Sequence, residues 1–543
     1  MVEIRANDLF RAIQKPEKLK SNPDMALTGY QSAAIESNPN LPALIIAGAG
    51  SGKTELMAIR ILWLVANGHA KPENILGLTF TRKAAASFSH RVNAGLRALQ
   101  ATEFWPQGLD AGFTPPTIST YNSYANALFR DAALALGFEP EAPLLSEAQR
   151  FQLARQVVLN KAMKWGDLLE QLDIKPERLA GHVLSLASEM NDHERGSDQV
   201  VELLTRELAA FEGIPQNATV GKNKFELTQK AKELVDKLQL IPVVAELARE
   251  FQIEKHRLGF VDFSDQVLLA KKALAETDLA ASAKALFQHV LLDEYQDTSF
   301  LQTQLLSGLF KGLPVYAVGD PNQSIYGWRG ASSSNLAEFL VEFRPSESQE
   351  VQKFDLPTSW RNPEVVLNLA NHVVQPLKLK PEYSQQGLVP VAELEARVGA
   401  NLGEVELDYL ETLQEEADRV AAWFQDHFDA AREQDPKRLP TAALLLRARS
   451  RMPVFVSALQ NRGIAVEVVG LGGLLQMPEV VDVISALKVI HSPNNGAALI
   501  RLLSGARWRV GAKDIAALNR FARDLAQNHR DEPDGYGSDF ESS

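Results

Sequence analysis

Residues 43–54 read Ala-Leu-Ile-Ile-Ala-Gly-Ala-Gly-Ser-Gly-Lys-Thr, and no other stretch narrows the possible folds as far. Five apolar residues form a run short enough for a strand buried on both faces. Glycines break it at once, and helical spacing resumes from Thr54 to Val65 before Asn67-Gly68 ends it. A glycine loop between a buried strand and a helix lets backbone N–H groups close around phosphate oxygens, with the positive end of the helix dipole behind them. This is a phosphate loop with Ala47 in place of the usual first glycine. Lys53 is expected to reach the β- and γ-phosphates and the Thr54 hydroxyl to hold Mg²⁺. A chance glycine turn is the competing reading, and Gly-Lys-Thr in this setting argues against it. The candidate ATP site comprises Ala49, Gly50, Ser51, Gly52, Lys53 and Thr54, with Glu55 and Arg60 on the helix that follows.

A second strand is expected at Ile75–Phe80 and an Ala-rich helix from Arg82 to about Leu99, which completes the βαβ grammar of a parallel sheet. Far downstream, Val290–Leu292 and Val315–Val318 run straight into Asp293-Glu294 and Gly319-Asp320. Ligands of open parallel sheets gather at the carboxyl ends of strands, so these ends are expected to converge on one site. Asp293 would bind Mg²⁺ and Glu294 would polarise an attacking water. Taken alone, the pair also reads as a solvated loop.

From about 125 to 262 the pattern is helical, with a capping box at Ser146–Gln149 and a polar loop at Gly213–Lys224. This block reads as an insertion within the α/β domain. After 350 a second α/β pattern begins. Strands are expected at Val405–Tyr409, Ala442–Leu446 and Val466–Val469, and helices at Glu415–Phe428, Val454–Gln460 and Pro478–Ile490. Past Asn494 the chain turns helical again, and its last residues, from Asp531 to Ser543, read as a disordered acidic tail. The length of 543 residues suits three or four domains. The absence of cysteine excludes disulfides, Cys-type zinc sites and iron–sulfur clusters within these residues, and it suits a reducing cytoplasm. No apolar run approaches the ~18 residues of a bilayer span, and no signal-peptide h-region opens the chain. The expectation is a cytoplasmic protein with no membrane partner.

Several stretches resemble superfamily 1 helicases of the UvrD/Rep class. Asp293-Glu294-Tyr295-Gln296-Asp297 resembles motif II of that family. Leu27–Gln31 resembles the Q motif, Thr79–Ala85 motif Ia, Val318–Ala331 motif III and Ser359-Trp360-Arg361-Asn362 motif IV, all in the family's order. The wording of TFTRKAA, LLDEYQDTS, SIYGWRGAS and SWRN resembles most closely the motor subunit of AdnAB-type helicase–nucleases. The fold class implied is α/β, with two RecA-like P-loop motor domains interrupted by helical insertions. Domain 1A would take residues 1–124 and 263–350, insertion 1B residues 125–262, an incomplete domain 2A residues 351–491, and the start of insertion 2B with the tail residues 492–543.

The resemblance also implies roles. Gln31 would read the adenine and Trp360 would stack on it. Gln323 would sense the γ-phosphate, and Arg361 would act as an arginine finger. A surface ion pair, worth ~0–1 kcal/mol, is the competing reading for Arg361. Phe80, Tyr326 and Trp328 would stack on bases of single-stranded DNA, while Arg82, Lys83 and Arg329 would meet its phosphates. For Phe80 alone, core packing competes. Asn122 stands where the family has a histidine, so any phosphate contact there carries no charge. Phe260–Asp265 resembles the acidic stretch that returns the chain from the insertion to the first domain. The family's motifs V and VI are not found before Ser543, and the chain is expected to be the N-terminal part of a longer helicase.

The function implied is an ATP-dependent, Mg²⁺-dependent helicase or translocase moving 3′→5′ on single-stranded DNA in repair or recombination. Its partners would be single strands, duplex junctions and a second helicase–nuclease subunit. Two alternatives stay open: a motor fragment that binds nucleotide and DNA with little turnover, and a P-loop kinase or other small-molecule NTPase. The aromatics of Val318–Ala331 argue against the second.

Net charge is −12, which excludes a broad basic nucleic-acid surface. The acidity is local. Residues 404–418 hold seven acids and the tail from Asp531 holds five, with no Lys or Arg beyond Asp531 or within 404–418. Thr79–Gln100 carries Arg82, Lys83, Arg91 and Arg97 with no acid. DNA binding is therefore expected to be narrow, stacking-assisted and only moderately salt-steep.

Overall fold

Alternation along the apolar runs builds the first domain. In the computed structural model six strands form one parallel sheet: β1 (Ala43–Ala47), β2 (Ile75–Thr79), β3 (Thr117–Thr120), β4 (His289–Leu292), β5 (Val315–Gly319) and β6 (Gln352–Leu356). Their order is β3-β2-β4-β5-β1-β6. The structure describes residues 3–14, 26–109, 112–171, 174–212, 235, 237–327, 330–332, 334–344, 346, 350–378, 389–437, 439–469 and 477–528. Successive side chains of a strand face opposite sides. Accordingly Leu44, Ile46, Val290, Leu292, Val315 and Ala317 enter one hydrophobic core, while Ala43, Ile45, Leu291, Tyr316 and Val318 enter another. Helix Lys53–Ala66 covers the second face, with Leu56, Ile59, Ile61 and Trp63 buried in it. Helices Tyr121–Ala132, Phe263–Glu276 and Phe300–Phe310 cover the first.

The strand after the helical block returns β4 to the middle of the sheet, and β5 pairs with β1 in register Ala43↔Tyr316. The carboxyl ends of β1, β4 and β5 therefore lie side by side, as expected from sequence. β6 extends the sheet beyond β1 in register Ala43↔Gln352. The border expected at 350/351 thus falls inside the first sheet's territory, because Phe354 and Leu356 find their apolar cover beside β1.

The helical block has a core of its own. Leu153, Val157, Leu179, Val183, Val244, Leu247 and Phe251 interlock among helices Glu147–Gln171, Pro176–Asp192 and Ile241–Arg257. A buried ionic cluster joins it to the α/β domain. Lys255 is fully buried, with its ammonium 3.0 Å from Asp262 and 2.7 Å from Asp265. Arg150 lies 3.2 Å from Asp262, and the Asn191 amide donates to Asp265 at 3.0 Å. Asp262 also caps helix Phe263–Glu276. Burial alone would raise the Asp262 carboxyl, but Lys255 and Arg150 hold it down at about 2. The loop expected at Gly213–Lys224 lies outside the described residues.

A second unit comprises Glu406–Ser543. Its helices Leu413–Gln434, Met452–Asn461 and Pro478–His491 match the expected ones with longer ends. Ala417, Ala421, Phe455, Ala458 and Leu459 form its core. Beyond Asn494 it is helical at Gly496–Ser504 and Ala512–Asn528. Among the described residues the strands expected at 405–409, 442–446 and 466–469 do not form; these stretches have no regular secondary structure. Leu444, Leu446 and Val466 lean on the helical core, while Leu407, Tyr409, Leu445 and Val469 stand exposed. A parallel strand needs cover on both faces, and here only one is covered. The acidic tail lies outside the described residues. No described helix is long and apolar enough to cross a membrane.

Candidate nucleotide and nucleic-acid site

The phosphate loop leaves β1 and closes on itself before the helix starts. Ser51 N–H donates to the Gly48 carbonyl at 3.2 Å, and Leu56 N–H to the Gly52 carbonyl at 2.9 Å. Gly50 (φ +79°) and Gly52 (φ +85°) occupy the left-handed region. The chain leaving β6 lies directly across this loop. Ser359 Oγ donates to the Ala49 carbonyl at 2.9 Å and Trp360 N–H to the Gly50 carbonyl at 2.8 Å. A β-carbon on Gly50 would stand 2.6 Å from Ser359 Oγ and 2.9 Å from Arg361 Cβ. The β1–β6 pairing explains the approach, since it carries residues 358–361 past the end of β1. Arg361 and Trp360 are thereby brought to the phosphate loop, and the Trp360 ring stays exposed.

At the end of β4, Lys53 Nζ meets Glu294 Oε2 at 2.9 Å. Glu294 holds a left-handed backbone (φ +50°), a strained conformation for a residue with a side chain, of the kind that collects at functional sites. Asp293 is buried; its N–H donates to the Leu78 carbonyl at 2.8 Å, and its carbonyl accepts from Tyr121 Oη at 2.8 Å. Burial, then the neighbouring Glu294, pushes the Asp293 carboxyl up to about 7, and the same two causes raise Asp297 to about 6. Burial raises Asp320 as well.

Gln296 links the acidic residues. Its amide nitrogen donates to Glu294 Oε2 at 2.9 Å, and its carbonyl oxygen accepts from Asp320 N–H at 3.0 Å. Gln323 donates to Asp320 Oδ2 at 2.5 Å. Sequence reading assigned Gln296 no role, although an amide between two acids at a strand end was the available signal.

Gln31 also reaches the loop. It closes a capping box with Thr28, and its Nε2 donates to the Ser51 carbonyl at 3.3 Å. Two expected members of the pocket are engaged elsewhere. The Glu55 carboxylate pairs with Arg91. The Arg60 guanidinium is buried against the carbonyls of Ile35 and Ser37. Seven residues beyond Lys53 place it roughly 10 Å further along the helix, out of reach of phosphates at the loop.

The residues present fit Mg²⁺-ATP. Ser51 Oγ, Thr79 Oγ1 and Asp297 Oδ1 are buried with no hydrogen-bond partner among the described residues. Asp293, Glu294, Asp297 and Asp320 crowd around one ammonium, an excess of negative charge that a divalent cation offsets. Among the described residues no cluster of three or more His, Asp or Glu could hold a metal unaided. Thr54 and Asp293 would hold part of a Mg²⁺ shell, the rest of which bound phosphate would supply.

Of the residues expected at DNA, Phe80 and Tyr326 come together. Their ring centroids lie 4.8 Å apart, tilted by 37°. Phe80 is half-exposed and joins neither core of the sheet, so core packing does not account for it. Arg82 and Lys83 are exposed on the first turn of helix Arg82–Gln100, which holds no acid there. Cations at this helix end oppose the dipole, so local stability does not explain them. Asn122 is exposed and accepts from the Gln302 amide at 2.8 Å. Trp328 and Arg329 lie outside the described residues.

A parallel sheet with a phosphate loop at β1, acids at β4 and a polar amide after β5 defines a P-loop NTPase domain of the helicase motor type. The family described as UvrD/REP helicase N-terminal domain matches residues 27–344, and that described as UvrD-like helicase C-terminal domain matches residues 354–541. The chain belongs to the UvrD/REP helicase family. It is similar to the ATP-dependent DNA helicase PcrA of Staphylococcus epidermidis, with 25% identity over 502 residues, covering 91% of this chain and 58% of that protein. The PcrA of Staphylococcus aureus is 25% identical over 498 residues, covering 91% and 57%. The chain thus spans a little over half the length of these relatives.

Proposed function

We propose that this chain is an ATP-driven motor that moves along single-stranded DNA. The observation that carries the reading is the loop after β5. Gln323, bonded into the acidic cluster through Asp320, stands three residues before Tyr326, which pairs with Phe80 after β2. One short loop therefore joins the phosphate-facing groups to a pair of aromatic rings.

In this reading the Lys53 ammonium leaves Glu294 for the β- and γ-phosphates, which frees the Glu294 carboxylate to orient and deprotonate water. Mg²⁺, when held by Thr54 and Asp293, neutralises phosphate charge. Arg361, already laid against the loop, contributes positive charge to the transferring phosphoryl group. Gln31 reads adenine and Trp360 stacks on it. Gln323 responds to the γ-phosphate, and that response shifts the Phe80–Tyr326 platform so that bases exchange places on the rings; Trp328 stacks on bases as well. Arg82, Lys83, Asn122 and Arg329 guide the backbone.

Movement 3′→5′, service in repair or recombination, action at duplex junctions, the AdnAB-type subclass with its second subunit, and the domain borders expected from sequence, with domain 1A extended to include β6, rest on resemblance. A fragment that binds both ligands but turns over little ATP is the competing reading. Displacement of streptavidin from oligonucleotides biotinylated at either end tests the proposal. ATP-dependent release from the 5′ end alone is expected; release from the 3′ end alone overturns the polarity, and release from neither overturns translocation.

A further inference from the structure

Two Lys or Arg side chains are buried among the described residues, Lys255 and Arg60; Lys255 pairs with Asp262 and Asp265, and Arg60 makes no ion pair there. It is 3% exposed, on the same helix as Lys53. Its guanidinium donates to the carbonyls of Ile35 and, at 2.8 Å, Ser37. It lies between two rings, 4.9 Å from the centroid of Trp63 and 5.3 Å from that of Tyr316. Tyr316 Oη adds a bond to the Ala34 carbonyl at 3.2 Å. The Ala34 and Ile35 carbonyls belong to the last turn of helix Gly29–Ile35, and Ser37 lies just beyond its Glu36 cap, so the cation also meets the negative end of the dipole.

The other end of that short helix carries Gln31, whose amide bridges the Thr28 cap and the Ser51 carbonyl of the phosphate loop. The helix is thus held at both ends, and one hold comes from the helix that bears Lys53. A planar guanidinium bonded to two carbonyls fixes direction as well as distance, which a flexible ammonium does not.

We infer that Arg60 is a positioning residue: by locking helix Gly29–Ile35 to helix Lys53–Ala66 it sets where the Gln31 amide stands over the phosphate loop, and so which base the site accepts. This rests on the reading of Gln31 as the group that recognises adenine. The Arg60 side chain touches no nucleotide; it keeps the base-reading amide in register with the phosphate-reading loop.

The test is the ratio of dissociation constants for MgGDP and MgADP, measured by calorimetry on the full chain. Wild type, Arg60→Met, Arg60→Lys and Gln31→Ala are compared after their circular dichroism has been matched. Arg60→Met should lower the preference for ADP by about fivefold, the effect of one misplaced hydrogen bond, and Arg60→Lys should recover part of it. A merely structural Arg60 would weaken both nucleotides alike and leave the ratio unchanged, which overturns the inference if Gln31→Ala does abolish the preference. An unchanged ratio in Gln31→Ala overturns the reading of Gln31 itself, and this inference with it. Should Arg60→Met not fold, Arg60→Lys, which keeps the charge but loses the planar guanidinium, takes its place: a lowered ratio supports the inference and an unchanged one overturns it.

Discussion

Replacing Gly50 by alanine tests whether residues 359–361 rest on the phosphate loop. Two costs add. At φ +79° a side chain is strained, worth ~1–2 kcal/mol. The new β-carbon would also meet Ser359 Oγ at 2.6 Å and Arg361 Cβ at 2.9 Å. The hydroxyl can turn away only by giving up its bond to the Ala49 carbonyl, and Arg361 Cβ can move only with its main chain. Overpacking of this kind costs ~1–3 kcal/mol, for a total of ~2–5 kcal/mol. Gly68 is the internal control, because it has φ +71° and nothing within 4 Å of an added β-carbon. Gly68→Ala should therefore lose only the backbone share. Urea denaturation of the two variants side by side should show Gly50→Ala less stable by a further ~1–3 kcal/mol. Equal losses would refute the seating of motif IV on the loop.

Lys53→Ala should abolish ATP hydrolysis while single-stranded DNA binding, followed by fluorescence anisotropy, persists; loss of both in a folded variant would contradict the separation of phosphate loop from base platform. Tyr326→Ala should weaken binding of an oligonucleotide by ~1–3 kcal/mol with the urea midpoint unchanged, whereas a pure stability loss would return Tyr326 to the core. Lys255→Met leaves Asp262 and Asp265 buried without their shared cation and should cost ~3–5 kcal/mol, with amides of helix Ile241–Arg257 losing hydrogen-exchange protection. A loss below ~1 kcal/mol would mean the cluster does not join the helical block to the sheet.

Strands buried on both faces announced themselves: β1, β4 and β5 are largely apolar runs ended by glycines or acids, and β2 is one that leads into Thr79-Phe80-Thr81. β3 and β6 are edge strands, and Thr-Ile-Ser-Thr and Gln-Lys-Phe-Asp-Leu carry too few apolar residues to stand out. In the second unit the same pattern of apolar residues misled, because Leu407, Leu445 and Val469 find no neighbour to cover them. The site was legible where a residue type has few other uses, as with Lys53, Asp293 and Glu294. Arg60 was misplaced because a cation near a phosphate loop reads as a phosphate ligand, and only the contacts of its head group reveal carbonyls instead. Gln296 was passed over because an amide's partners depend on which strand ends meet, and that is a property of the sheet order.

The central claim is that nucleotide hydrolysis and single-strand binding are coupled within this chain. Steady-state ATP hydrolysis with and without single-stranded DNA, for wild type and Glu294→Gln, tests it most directly. The account predicts hydrolysis stimulated by DNA in the wild type and reduced ~10²–10⁴-fold in the variant, the contribution of a positioned general base. Hydrolysis indifferent to DNA, or undiminished in Glu294→Gln, would contradict it.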